Sequence, residues 1–206
     1  MSIRRSLRTL ACVFALAPCL SCGRETGAAM TNASQGAEPR ATETHATSSM
    51  QLQSPDFRAD GALPARFTCD GDSVSPALQW SNAPAGTRSL ALVVDDPDAP
   101  DPAAPQRAWV HWVLYDLPAD SAGLPQGARA EQLPAGTRQG RNDWDRSGFG
   151  APCPPKGRHR YVHTLYALDA VLPDLHEPDK AQLLARMKGH VIATARLIGT
   201  YERGAR

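Results

Sequence analysis

The chain has 206 residues, of which 42% are hydrophobic and 21% charged. That is enough for one well-buried domain with an appendage and too little for two large domains. The 22 basic and 21 acidic residues leave a formal net charge of +1, so no long-range field draws the protein to nucleic acid or to an acidic membrane, and any partner has to be argued from a site. The 18 prolines and 16 glycines beside only 6% aromatic residues imply many turns and a strand-dominated fold rather than a helical bundle.

At the start, Arg4, Arg5 and Arg8 precede the apolar run LACVFALAPCLSC, which ends at Cys22. The run is too short to span a bilayer and, with its basic flank, reads as an export signal over residues 1–22. Leu20-Ser21-Cys22 resembles the end of a lipobox, in which the cysteine is lipidated and becomes the mature N-terminus, although Cys19 stands where an aliphatic residue is usual. Lipidation of Cys22 is the preferred reading; a cleaved signal without an anchor is the alternative. Residues 23–50 are poor in large apolar side chains and rich in Ala, Thr, Ser and Gly, as expected of a disordered tether. The implied location is the cell envelope, in the periplasm, with a membrane touched only through the N-terminal lipid.

The folded domain is expected over residues 51–206. SLALVVD, from Ser89 to Asp95, reads as a buried central strand, and AWVHWVLYDLP, from Ala108 to Pro118, as a second. Residues 133–157 hold too many Gly, Pro and Asp residues for regular structure, and a long ordered loop of this kind is usually functional. RYVHTLYALD, from Arg160 to Asp169, reads as a third strand. Pro178-Asp179 then opens a short helix over KAQLLARMK that Gly189 stops, and VIATARLIGTY reads as a closing strand. Cys69 and Cys153 are the two cysteines of the body. Export would let them stay oxidised, which makes them a candidate disulfide; two free, buried thiols are the alternative.

Strand alternation places Trp109, His111, Val113 and Tyr115 on one face and His159, Tyr161 and His163 on another. The acidic, proline-rigid stretch DDPDAP follows the first strand directly, so imidazoles, a phenol and carboxylates converge if these strands are neighbours. Asp95 alternates to the opposite face from Asp96.

Four segments carry a resemblance. SPALQW at Ser75–Trp80, DPDAP at Asp96–Pro100, WVHW at Trp109–Trp112 and CPPKGRHRY at Cys153–Tyr161 resemble, in order and spacing, the phosphatidylethanolamine-binding protein family. FTCDG and GTYER are similar to its bacterial branch, the Raf kinase inhibitor-like proteins. The resemblance covers about Gln51 to Arg203. It implies a mainly β fold, a large antiparallel sheet packed on a smaller one with a short C-terminal helix, and a small anion pocket at one end. The pocket residues it implies are Asp96, Asp98, His111, His159 and Tyr161, with Gly150 to Pro155, including Pro154 and Pro155, on the rim. His163 departs from the family, which more often has an aromatic residue there, and Ala151 interrupts a common glycine-glycine approach.

Chemically, His111, His159, the Tyr161 hydroxyl and loop amides can donate to a phosphate, while Asp96 or Asp98 can hold an ammonium group. The carboxylates can equally orient the imidazoles and raise their pKa, or form an Asx turn, a reading weighted more to Asp98 than to Asp96. Arg160 alternates away from His159. Arg107 can attract anions, Lys156 is read as a solvated rim charge, Asn142 and Trp144 as purely structural with bracing of the pocket as the alternative, and His176 and His190 as incidental. The expected function is non-enzymatic binding of a small anionic or phosphorylated ligand, without cofactor or metal. The alternative is a protein-interaction module that inhibits or regulates a protease, kinase or other envelope protein. Residues 51–206 hold no HExxH, CxxC or GxSxG. On this reading, Asp96→Ala and His111→Ala weaken binding and leave the fold unaffected.

Overall fold

The computed structural model describes residues 49–204; the expected export signal, Cys22 and nearly all of the expected tether lie outside them. The strands are β1 (Gln51–Gln53), β2 (Gly61–Ala62), β3 (Leu78–Ser81), β4 (Ser89–Asp96), β5 (Trp109–Pro118), β6 (Gly123–Leu124), β7 (Arg138–Gln139), β8 (Arg158–Leu168) and β9 (Val191–Glu202), with one helix, α1 (Lys180–Met187), before the last. They form a six-stranded sheet in the order β2-β9-β8-β4-β5-β7 and a three-stranded sheet in the order β1-β3-β6. All pairings are antiparallel except β2 with β9.

β4 is an unbroken apolar run because both its faces are covered. One face carries Leu90, Leu92 and Val94, which pack with Trp112, Leu114 and Leu165 against Leu52, Leu78 and Trp80 of the small sheet. The other carries Ala91 and Val93, which with Val113, Tyr115 and Leu168 meet Leu183 and Met187 of α1. Those two helix residues are one turn apart and so share a face. The helix begins in a capping box: the Asp179 carboxylate accepts from the Gln182 amide at 2.8 Å, and the Gln182 side chain accepts from the Asp179 amide. Gly189, at φ +86°, ends the segment in a conformation that few other residues adopt.

The expected alternation of β5 fails at two points, at His111 and again between Leu114 and Leu117, and the first shapes the site. Asp96 opposes Trp109 and Asp95 opposes Val110, but Val94 opposes Trp112. His111 is therefore the extra residue of a β-bulge. Beyond it the phase reverses: Val113 and Tyr115 join the helix-side core, while His111 packs edge-on to Tyr161 on the other side, with ring centroids 5.2 Å apart. Trp109, His111, Val113 and Tyr115 thus do not share a face. The bulge is what leaves His111 with Tyr161 and allows the rest of β5 to cover α1.

Candidate functional site

The C-terminal end of β4 and the N-terminal ends of β5 and β8 meet at one end of the large sheet, because these strands pair antiparallel. A cavity of about 310 Å³ opens there, lined by Asp96, Ala99, Pro100, Trp109, His111, Trp144, Cys153, Pro154, Pro155 and His159. The size is at the lower limit for small-molecule pockets, suited to a head group and not to acyl chains.

The carboxylates are already occupied. Asp96, almost fully buried, accepts the Asp98 amide on Oδ1 at 2.8 Å and the His159 Nδ1–H on Oδ2 at 2.6 Å. The Asx turn is therefore made by Asp96 toward residue 98, rather than by Asp98. His159, fully buried, also faces the Lys156 carbonyl with Nε2, at 3.0 Å. Both ring nitrogens are thus engaged by protein oxygens, and neither is left open to a ligand. Asp98 turns away to Arg160, which donates its backbone amide at 2.8 Å, Nε at 2.9 Å and Nη2 at 2.7 Å. That guanidinium holds the Asp98 carboxyl below its usual range. Arg160 lies on the opposite face from His159, as alternation predicts, and there it is the buttress of the DPD turn. Asp95 pairs with Lys180 of α1, well away from the cavity.

His111 is the reverse case. Its Nδ1 lies 2.7 Å from the Gly150 carbonyl and must donate to it, while its Nε2 is buried and has no protein partner. Burial lowers the pKa of the ring, outweighing the opposing pull of the Gly150 carbonyl and of Asp96, Asp95 and Asp143. The carboxylates do pull it upward as expected, but burial outweighs them. Trp109 Nε1 and the Tyr161 hydroxyl are buried without partners as well. Burial, then the Asp96 charge, raise the Tyr161 pKa, so the phenol keeps its proton and remains a donor. Buried polar atoms in native proteins are nearly always satisfied; the orphans on His111 and Trp109 belong to residues that line the cavity and mark the place for a ligand, whereas Tyr161, expected in the pocket, packs against His111 and is not among the lining residues. His163 sits on the same face as Tyr161 but deeper, against Phe57 and away from the cavity wall.

The rim is built by residues 141–155 lying along the outer edge of β5. The Asp143 carboxylate accepts the Val110 amide at 2.6 Å, and the Asp143 amide donates to the Val110 carbonyl. The Gly150 amide returns a bond to the His111 carbonyl at 2.8 Å. Asn142 closes the loop on itself through the Gly148 carbonyl and the Trp144 amide. Trp144, 40% exposed, stands edge-on to both Trp109 and His111 and so is part of the wall. Arg107 stacks over Trp109 at 4.6 Å and pairs with Asp143; Lys156 pairs with Asp101. Cys153 is bonded to Cys69 across 84 residues, which fastens the Pro154-Pro155 wall to the turn at residues 68–72; the Cys69 amide to Pro152 carbonyl bond, 2.9 Å, reinforces it. His176 and His190 lie outside this site, each beside an exposed aspartate. Among the described residues no group of three or more His, Cys, Asp or Glu side chains is placed to hold a metal.

Comparison with known proteins covers this whole domain. Residues 53–202 match the family described as phosphatidylethanolamine-binding protein. A UPF0098 protein of Methanothermobacter thermautotrophicus is 46% identical over 156 residues, covering 75% of this chain and all of that protein. Among solved structures, a phosphatidylethanolamine-binding protein homologue of Chlamydia trachomatis superposes with a TM-score of 0.70 at 40% identity, covering 76% of this chain and 99% of the other. Escherichia coli YbcL, described as a member of the mammalian family, does so with a TM-score of 0.69 at 33% identity, covering 76% of this chain and the whole of the other.

Proposed function

Because the chain belongs to the phosphatidylethanolamine-binding protein family, we propose that it is an exported binding protein whose cavity holds a small oxyanion, a phosphate group above all, and turns nothing over. The observation that carries this reading is the pair of buried, unpartnered polar atoms, His111 Nε2 and Trp109 Nε1, on residues lining a cavity of about 310 Å³. An oxyanion presents several oxygens within hydrogen-bond reach of such a set. The alternative role for the carboxylates, capture of an ammonium group, loses support from the geometry, since the oxygens of Asp96 and Asp98 are engaged by the protein itself. Export rests on the basic and apolar pattern of residues 1–22 and anchoring on Cys22.

Titration with inorganic phosphate, followed by the Trp109 indole N–H resonance, tests the pocket. A saturable shift is expected, and no shift at millimolar phosphate would sink the reading. Incubation with simple phosphomonoesters is expected to release no phosphate beyond the blank. Fractionation of cells is expected to place the protein in the envelope, and replacement of Cys22 by serine to release it to the soluble periplasm.

A further inference from the structure

The two orphaned groups that line the cavity differ in what they offer. Trp109 Nε1 only donates. His111 does not. With Nδ1–H committed to the Gly150 carbonyl at 2.7 Å, Nε2 of the neutral ring is a lone pair, which is an acceptor. A fully deprotonated oxyanion oxygen placed against it meets acceptor against acceptor.

Resting on the oxyanion reading of the cavity, we infer that the site selects a phosphate that still carries a P–OH, whose proton His111 Nε2 accepts, over oxyanions of equal charge that carry none. The complex holds one proton on the axis between Nε2 and the bound oxygen. Inorganic phosphate brings that proton with it at any pH near neutrality. Sulfate, a phosphodiester, or a monoester that has lost its second proton binds only after His111 takes one from solvent.

The surroundings make that uptake costly. From β4, Asp96 lines the cavity with the ring and Asp95 acts on it only through its charge from the other face; Asp143 acts from the rim loop, and His159, Tyr161 and His163 belong to β8. The Asp96 oxygens are held by the Asp98 amide and His159, while Asp95 pairs with Lys180 and Asp143 with Arg107. No free carboxylate remains to hold an imidazolium at residue 111, which is 3% exposed. A buried cation without a partner is strongly disfavoured, so the proton is cheaper to bring on the ligand.

Sulfate and hydrogen phosphate make the discriminating pair, since both are dianions near pH 8.5 and only one has a proton to give. Binding of each, and of methyl phosphate, is measured by calorimetry at about pH 5.5 and about pH 8.5, in two buffers of different ionisation enthalpy; methyl phosphate loses its last proton near pH 6. At the higher pH phosphate is expected to bind at least about tenfold more tightly than sulfate or methyl phosphate, about 1.4 kcal/mol, with sulfate taking up close to one proton per site. At the lower pH methyl phosphate is expected to approach phosphate. Equal affinity of sulfate and phosphate at the higher pH, without proton uptake, overturns the inference and leaves the oxyanion pocket standing. No binding of any of the three at either pH overturns the pocket as well.

Discussion

Two aspartates two residues apart do different work. Asp96→Ala strips a buried imidazole and a backbone amide of their common acceptor; an uncompensated loss of this kind costs about 2–4 kcal/mol, to be read from urea unfolding. The sequence-based expectation that Asp96 affects binding alone therefore does not hold for this geometry. Asp98→Asn breaks the clamp on Arg160, whose side chain is 55% exposed, and solvent screening limits the loss to about 1 kcal/mol or less. His163, fully buried, has its pKa lowered to about 4 from 6.5, burial outweighing the Tyr161 carbonyl. In that interval the unfolded chain binds a proton that the folded chain does not, so stability falls as pH drops from about 6.5 to about 4, by about 3 kcal/mol. His111, also lowered by burial, acts in the same direction. His163→Phe is expected to flatten the slope of unfolding free energy against pH; an unchanged slope would assign it to other groups.

Among the elements, the rim loop depends on one small residue. A Cβ on Gly150 would lie 2.2 Å from the Trp144 ring, so Gly150→Ala has to displace Trp144 from its place beside His111. A red-shifted tryptophan emission and roughly tenfold weaker phosphate binding are expected, with unfolding changed by no more than about 1 kcal/mol. The long strands and the helix were legible in the sequence because their patterns are local: a run covered on both faces at β4, apolar residues one turn apart between Asp179 and Gly189. The short strands β2, β6 and β7 were not, since two residues carry no period. Nor was the bulge at His111, since alternation assumes a constant phase. The motif residues of the site were recognisable by family resemblance, whereas their wiring was not: the clamp of Arg160 on Asp98 joins two strands 62 residues apart along the chain, and Trp144 belongs to the wall by virtue of a loop that has no pattern of its own.

At the scale of the molecule, the large sheet is covered by the small sheet on one side and by α1 on the other, and the site is left at the uncovered end where three strands terminate. The Cys69–Cys153 bond, spanning 84 residues, ties that end together. By the loop-entropy argument its removal through Cys69→Ser with Cys153→Ser costs about 4 kcal/mol. Because Cys153 lines the cavity, phosphate affinity is expected to fall in parallel; calorimetry with and without reductant checks both.

The same bond changes how the domain bears load. The covalent ring it closes contains β3 to β7 and with them Asp96, Trp109 and His111, while β1, β2, β8 and β9 lie outside it. Tension applied between the two ends of the domain, as on a protein held at its N-terminus, passes through the sulfur atoms and bypasses everything between them. A stretched molecule then lengthens only by the chain outside the ring. Reduction releases roughly 290 Å more, at up to about 3.5 Å per residue over 84 residues, an increment that single-molecule extension in oxidising and reducing buffers is expected to resolve as a separate step.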